Sequence, residues 1–207
     1  HFVATAEYKK RVIQLGEHPH HVFNVGALGI ENIKNTKLFD KKTLENDIGF
    51  RFGKRNLLIT FHPITLEPDS SRIYMKNLLD SLSVQDETNL IFTYPNADTE
   101  GRELIKIINQ FCRDHPHAKA FKSLGQKRYF SCIKYVDGVI GNSSSGLIEV
   151  PSFRKGTINI GNRQKGRLKS ESIIDCEPNK KDILNAINLL FSETFQNNLK
   201  TVRNVYG

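Results

Sequence analysis

Short apolar stretches alternate with stretches of helical periodicity along most of this chain. Residues 56–61 (NLLITF) and 89–94 (NLIFTY) are continuously apolar, which is typical of strands that are covered on both faces. Residues 69–82 and 98–112 instead repeat their apolar side chains at helical spacing. Strands that are separated by helices predict parallel βαβ units, so we predict an α/β fold with a parallel sheet and helices on both faces.

The alternation continues on both sides of these elements. Residues 4–17 predict a helix that stops near Gly16, and residues 21–26 (HVFNVG) predict the first strand. Asp98 or Thr99 is expected to cap the second of the helices above. The other predicted elements lie at 43–50, 117–121, 127–135, 136–141, 144–153, 156–161, 172–176 and 180–191.

With 207 residues, 38% of them hydrophobic and 25% charged, the composition fits one globular domain, or one domain with extra elements. The formal net charge of +8 favours anionic partners without choosing among phosphates, nucleotides, nucleic acid and acidic lipid. The cysteines at 112, 132 and 176 form no CxxC or Cys/His cluster, so we expect no disulfide framework, no metal site and a cytoplasmic location.

Neither a membrane helix nor a signal peptide is visible in the sequence. A membrane helix needs roughly 20 consecutive apolar residues, and no stretch approaches that length, so we expect no membrane partner. The chain begins at His1 without a methionine and opens directly into helix-like sequence. We therefore expect it to be a piece of a longer protein.

The turn after the strand at 136–140 carries the residues GNSSSGLIE. Ligands of parallel sheets bind outside the carboxyl ends of the strands. A Gly/Ser turn at a helix start lets an anion approach unpaired N–H groups, so Ser143, Ser144 and Ser145 predict a phosphate site. Glu149 can accept hydrogen bonds from a ribose diol. The alternative is that Asn142 and Ser143 only cap the helix while Glu149 faces solvent.

Three further turns contain candidate ligand-binding groups. His62 ends an apolar strand before a proline, where it can donate to a phosphate oxygen or move a proton, or be merely structural. Arg163 lies with two other basic residues in a glycine-flanked loop that suits a diphosphate or is simply exposed. Asn96 can read a base edge or form a turn.

Several well-known motifs are missing from the sequence. It contains neither GxGxxG nor GxxxxGK[ST], which argues against a standard NAD site and a P-loop, and it has no GxSxG elbow. No RNP-like aromatic motif supports RNA binding. The acidic residues are scattered, and no complete catalytic set can be assembled from this chain alone.

Four spaced stretches together resemble the UDP-N-acetylglucosamine 2-epimerases, specifically the hydrolysing branch of sialic or legionaminic acid synthesis. They are FHPIT at 61–65, YPNADTEG at 94–101, IGNSSSGLIEVPSF at 140–153 and INIGNRQKGR at 158–167. The opening residues are also similar, so the resemblance covers nearly the whole chain. The non-hydrolysing branch typically carries HRREN-like and SDSGG stretches where this chain has HPITLE and NSSSG.

The resemblance implies one half of a GT-B architecture, two Rossmann-like domains with the nucleotide sugar between them. Residues 1–207 would be the C-terminal nucleotide-binding domain, with an inter-domain helical segment at about 1–20 and the N-terminal catalytic domain absent. It implies diphosphate contacts from the histidine, two serines and the arginine, ribose contacts from the glutamate, and uracil contacts around 121–123. The implied UDP site comprises Gly26, Glu31, His62, Asn96, Phe121, Ser123, Ser143, Ser144, Gly146, Glu149 and Arg163, with His62 also catalytic.

The reaction implied by the resemblance is proton abstraction at C2 with elimination of UDP, followed by addition of water to give N-acetylmannosamine. It implies a UDP-sugar as partner, no cofactor, no metal, no nucleic acid, and a homo-oligomer of the full-length protein. This half is expected to bind UDP and to be inactive alone. Three alternatives stay open: a diacetylbacillosamine substrate, a GT-B glycosyltransferase, and a basic nucleic-acid-binding module.

Overall fold

The computed structural model describes residues 1–64, 70–96 and 99–207, and its helices and strands alternate as the sequence predicts. The strands are β1 Phe2–Val3, β2 Phe23–Asn24, β3 Arg55–Thr60, β4 Thr88–Thr93, β5 Ala118–Phe121, β6 Gly138–Gly141, β7 Gly156–Ile160 and β8 Ile173–Cys176. The helices are α1 Ala6–Gln14, α2 Leu28–Asn35, α3 Lys41–Ile48, α4 Ser70–Leu82, α5 Thr99–Asp114, α6 Gly125–Tyr135, α7 Ser145–Ile148, α8 Lys180–Leu190 and α9 Glu193–Asn198.

Six of these strands form one parallel sheet in the order β5-β4-β3-β6-β7-β8. The first three strands of the sheet run outward from β3 in one direction, and the next three run outward from β6 in the other. This is the doubly wound, Rossmann-like strand order, whose topological switch point lies between β3 and β6. The predicted parallel α/β fold is confirmed.

Apolar cores on the two faces of the sheet explain why successive residues 57–59 of its central strand β3 are all apolar. Leu57 and Ile59 of β3 are buried in the core under α4, α5 and α8. Leu58, between them in sequence, is buried in the opposite core under α3 and α6. Successive side chains of a strand point to opposite faces, so a strand that is covered on both sides needs no polar positions. The prediction of helices on both faces is confirmed.

The predicted first strand at 21–26 does not belong to this sheet. Only Phe23–Asn24 is a strand, and it pairs in parallel with Phe2–Val3 in a separate two-stranded sheet. The ring of Phe23 is half exposed and stacks on that of Phe2, with centroids 5.6 Å apart. The sequence prediction was wrong in placing the strand at 21–26 in the main sheet, because Phe23 packs on Phe2 of the small sheet instead.

Two predictions fall partly outside the described residues. The cap expected at Asp98 or Thr99 depends on a residue and a side chain that are not described. The same holds for parts of the two turns that follow β3 and β4, at 65–67 and 97–98.

The end of the chain packs back onto its beginning. The hydroxyl of Tyr206 lies 3.1 Å from that of Tyr8 and donates to the carbonyl of Leu168 at 3.0 Å. The carbonyl of Tyr206 accepts from the N–H of Ala27, directly before α2. These contacts hold the first turn of α2 beside the main domain.

Candidate functional site

The carboxyl ends of β3 and β6 meet at the switch point of the sheet. His62 lies two residues after β3, and the serine turn, residues 142–145, directly follows β6. Ligands of such sheets bind in the crevice outside these strand ends. The fold therefore brings together two predicted site segments that are 80 residues apart in sequence.

Asn142 connects three segments at this crevice, and its side chain is completely buried. The backbone N–H of His62 donates to its Oδ1 at 2.7 Å, and its Nδ2 donates to the carbonyl of His62 at 2.8 Å. Its own carbonyl accepts from Arg163 Nη1 at 3.1 Å and from Gln164 Nε2 at 2.7 Å. We did not predict Asn142 or Gln164 as site residues, although Asn142 stands directly after a strand end.

The serine turn presents hydroxyl and N–H groups beside His62. Ser143 Oγ accepts from the N–H of Ser145 at 3.4 Å, and Ser145 Oγ accepts from the hydroxyl of Tyr129 at 2.9 Å. Burial raises the pKa of Tyr129, so its hydroxyl stays protonated and donates. Ser144 precedes α7 and makes no side-chain cap bond. Since the amide of Asn142 is bonded to His62, the alternative of an Asn142 cap is excluded.

Gly146 lies in the first turn of α7 and packs against the sheet. A Cβ there would lie 2.6 Å from Cγ2 of Thr157 on β7, and its carbonyl accepts from Thr157 Oγ1 at 2.8 Å. This contact lets α7 approach the sheet, as a glycine does in the first βα turn of dinucleotide-binding folds. The packing explains the glycine, and a contact between Gly146 and substrate stays a prediction.

Glu149 lies one helical turn beyond the serine turn, half-buried against α2. A Cβ on Gly29 would lie 2.5 Å from its Oε1, so the absence of a side chain there makes room for the carboxylate. Its Oε2 is buried and accepts no hydrogen bond within the described part of the chain. Burial raises the pKa of Glu149. A buried acceptor without a partner costs free energy, which a hydroxyl-bearing ligand would recover.

A cleft of about 540 Å³ extends from this carboxylate along the sheet edge. Asn96 after β4, Ser123 before α6, and Glu149 at the end of α7 all line it, so three predicted residues from three segments share one cavity. Phe121 is placed differently, because it ends β5 and packs against the core under α6. Its carbonyl accepts from the N–H of Tyr94, which does line the cleft.

Arg163 brings positive charge to the other side of the serine turn. Its guanidinium donates to the carbonyl of Asn142, and both burial and the nearby charge of Arg167 lower its pKa. Two guanidinium groups that repel each other favour an anion between or beside them. This loop is therefore a cationic counterpart to the serine turn.

Gly26 and Glu31, also predicted for the site, lie around α2. Gly26 has a φ of +77° and forms the turn into α2, which glycine adopts without strain. Glu31 is exposed and accepts from Nδ2 of Asn35 at 3.3 Å. Neither residue lines the cleft that contains Glu149. The structure instead brings Gly29 of the same helix to the carboxylate.

A second cleft of about 580 Å³ lies beyond β7 and β8. It is lined by both signs of charge, including Lys165, Lys169 and Asp175, and Lys169 forms an ion pair with Asp175 at 2.7 Å. None of the predicted site residues lines it. We assign the site to the switch point for this reason.

The described ranges contain neither a candidate metal cluster nor a candidate membrane-spanning helix. No group of three or more histidine, cysteine, aspartate or glutamate side chains is placed there to hold a metal ion. Among the helices in those ranges, none is long and apolar enough to cross a membrane.

The fold and the crevice define a Rossmann-like α/β domain with a polar, cationic site at its switch point. The chain belongs to the UDP-N-acetylglucosamine 2-epimerase family, whose model matches residues 1–207. The predicted family is confirmed.

Two curated relatives and one solved structure illustrate the similarity. The chain is 43% identical over 199 residues to the GDP/UDP-N,N'-diacetylbacillosamine 2-epimerase (hydrolyzing) of Campylobacter jejuni, covering 96% of the chain and 51% of the relative. It is 42% identical over 207 residues to the polysialic acid biosynthesis protein P7 of Escherichia coli, covering 100% and 52%. The co-structure of S. aureus MnaA with UDP matches with a TM-score of 0.76 and 17% identity, over 100% and 55%.

The chain spans about half the length of the curated relatives that it matches. The same share of the solved epimerase structures is covered, and the fold is that of one half of a GT-B architecture. This part of the fold prediction is confirmed as well.

Proposed function

We propose that this chain is the C-terminal, UDP-binding half of a hydrolysing UDP-N-acetylglucosamine 2-epimerase. The observation that carries the proposal is the convergence of His62, the serine turn and Arg163 on one corner of the switch point, with the buried, unpartnered Oε2 of Glu149 nearby. This arrangement suits a diphosphate next to a ribose. Family membership and the half-length match support it.

The chemistry of the proposed reaction makes the leaving group the task of this half. Loss of the C2 proton forms a C1–C2 double bond while the C1–O bond breaks, and its electron pair leaves with UDP. Water then adds across the double bond to give the free 2-epimer. The charge that develops on the diphosphate is stabilised by hydroxyl and N–H donors of the serine turn, by His62 and by Arg163. The proton-transfer groups are proposed to lie outside this chain.

The names of the relatives support two substrates. The E. coli relative is named for polysialic acid biosynthesis, which supports UDP-N-acetylglucosamine with N-acetylmannosamine as product. The C. jejuni relative is named for diacetylbacillosamine, which supports the diacetylated nucleotide as a second candidate. Both proposed substrates lose the same leaving group, UDP, so the site described here serves either reaction.

The substrate is tested by product analysis of the whole protein. We expect incubation with UDP-N-acetylglucosamine, without any acceptor, to release UDP and free N-acetylmannosamine. Proton NMR of the reaction mixture monitors both products. Incubation with the diacetylated nucleotide is the matched comparison. A much higher kcat/KM for the diacetylated sugar would overturn our first choice of substrate. Transfer of sugar to an added acceptor without free epimer would instead indicate a glycosyltransferase.

The diphosphate site is tested by calorimetry with UDP, UMP and uridine. We expect UDP to bind most tightly of the three ligands. Ser144→Ala should lower the affinity for UDP by roughly tenfold, because a hydroxyl donor to an anion is lost. Ser192→Ala is the control, because Ser192 Oγ caps α9 by accepting from the N–H of Phe195 at 3.2 Å. If Ser144→Ala, like this control, leaves the affinity for UDP unchanged, the serine turn is no phosphate site.

Three further expectations belong to the same proposal. We propose residues at about 1–20, with α1, as an inter-domain segment, and a homo-oligomer as the state of the full-length protein. A cytoplasmic location is supported by the three cysteines, which are all free thiols.

A further inference from the structure

The buried amide of Asn142 forms a complementary pair of hydrogen bonds with one residue. Its Oδ1 accepts from the N–H of His62 and its Nδ2 donates to the carbonyl of His62. Every polar atom of the side chain is thus matched to a backbone group on the neighbouring segment. An amide is suited to this task, because it carries one acceptor and one donor group at the same end of a short chain.

The close approach of β3 and β6 puts this amide within reach of His62. Gly141 precedes Asn142, and a Cβ on it would clash directly with the carbonyl oxygen of Thr60. The N–H of Asn142 donates to that same carbonyl at 3.2 Å. The two strands therefore meet backbone to backbone, and Asn142, directly after β6, forms the amide bridge to His62, two residues after β3.

The carbonyl of Asn142 binds the cationic loop after β7. Arg163 Nη1 and Gln164 Nε2 both donate to it, at 3.1 and 2.7 Å. Gln164 is almost fully buried, so this contact is shielded from water. One residue thus fixes the loop that carries the histidine, the turn that carries the serines and the loop that carries the arginine.

We propose that Asn142 is the positioning residue of the diphosphate site. It is fully buried and acts through its neighbours, setting the distance between His62, the serine turn and Arg163. The inference deepens the proposed function and rests on it. Its consequence is selective: Asn142 matters for recognising the phosphates and not for recognising the nucleoside, whose cleft lies beyond Glu149.

The chain offers a matched control at the opposite end of β3. The amide of Asn56 forms the same pair of bonds with one backbone residue, accepting from the N–H of Gly53 at 2.8 Å and donating to its carbonyl at 3.1 Å. Asn56 is also buried, at 4% exposure against 0% for Asn142, and stands at the amino end of the strand, away from the crevice. Asn56→Ala therefore removes a comparable pair of amide bonds, together with a longer contact from Nδ2 to Asp137 Oδ2 at 3.4 Å, far from the site.

The experiment compares affinities for UDP and uridine by calorimetry. We expect Asn142→Ala to lower the affinity for UDP by roughly 10- to 100-fold and to leave the affinity for uridine unchanged. Asn56→Ala should leave both affinities unchanged. Alone, His62→Ala should lower the affinity for UDP. Added to Asn142→Ala in a double variant, it should lower that affinity little further, since the two residues act as a unit. If Asn142→Ala does not fold, Asn142→Ser, which keeps a hydroxyl, is expected to show a smaller loss of the same kind.

Two results overturn the inference in different ways. If the native protein prefers UDP over uridine and Asn142→Ala retains that preference, the positioning role is wrong while the proposed function stands. If Asn142→Ala lowers the affinities for UDP and uridine equally, Asn142 is merely structural and the inference is overturned. The same holds if the losses of UDP affinity from Asn142→Ala and His62→Ala are fully additive. If the native protein does not prefer UDP over uridine, the proposed diphosphate site fails and the inference falls with it.

Discussion

Replacing Gly141 with alanine is expected to destabilise the folded chain severely. Gly141 ends β6 with a φ of +147°, a conformation that side chains rarely adopt. An added Cβ would collide with the carbonyl oxygen of Thr60 and lie 2.6 Å from its carbonyl carbon. Because the obstacle is the backbone of β3, no side-chain rotation relieves the collision. The two central strands of the sheet would have to separate.

We expect the free energy of unfolding to fall by at least about 4 kcal/mol, which is in the exceptional range for one substitution. Urea unfolding followed by circular dichroism measures it. Gly125→Ala is the control, since Gly125 has a φ of +61° and no atom within 4 Å of an added Cβ. That variant has only the backbone strain, about 1–2 kcal/mol. Equal losses in the two variants would show that the strand contact is relaxed easily.

The sequence predicted the main sheet well because its strands satisfy a local rule. A strand such as Arg55–Thr60 is apolar at successive positions only when both of its faces are covered, and that pattern is visible without any partner. The strand at 21–26 shows the limit of the rule. Its apolar residues look the same in the sequence, but Phe23 packs on Phe2 at the surface.

The role of Asn142 could not be predicted in the same way. Its partner His62 is 80 residues away, and the bond exists only because β3 and β6 become neighbours in the sheet. Strand order is a property of the whole fold and leaves no trace near position 142. An asparagine after a strand is also a common helix cap, so local sequence favoured the weaker interpretation.

Burial separates the two glutamates that the sequence predicted for the site. The resemblance implied ribose contacts for Glu149 and placed Glu31 only in a nearby substrate-contacting loop. The structure leaves Glu31 exposed with Asn35 as partner, and buries Oε2 of Glu149 without one. Glu149 is therefore the residue expected to bind ligand, at some expense to the stability of the unliganded fold.

Replacing Glu149 with glutamine is expected to lower the affinities for UDP and for uridine alike, by roughly 10- to 30-fold, since one strong hydrogen-bond acceptor is lost. In the proposed site both ribose hydroxyls donate to the carboxylate, one to each oxygen, and the amide of glutamine keeps an oxygen at only one of these two positions. Calorimetry with both ligands measures the loss. Glu31→Gln is the control and should leave both affinities unchanged. A normal affinity in Glu149→Gln would show that the carboxylate does not touch the ribose.

The same substitution is expected to stabilise the unliganded protein at neutral pH. Burial raises the pKa of Glu149 above its usual value of 4.5, so the folded state holds the proton more tightly than the unfolded state does. The resulting stabilisation is fully present below the unfolded pKa and is lost as the pH rises through the folded pKa. Glutamine is neutral throughout and escapes that loss. Its melting temperature should therefore exceed that of the native protein at about pH 7.5.

The gap in melting temperature should close as the pH falls below the pKa of an unfolded glutamate, 4.5, where both proteins carry a neutral side chain at this position. Glu31→Gln, measured over the same range, corrects for the loss of one surface charge. A gap that persists at about pH 4 would mean that packing, and not desolvation of the carboxylate, causes the stabilisation. If Glu149→Gln binds ligand more weakly and is also more stable than the native protein, Glu149 is identified as a ligand-binding group. Replacing a residue whose only role is in folding would instead lower the stability of the protein.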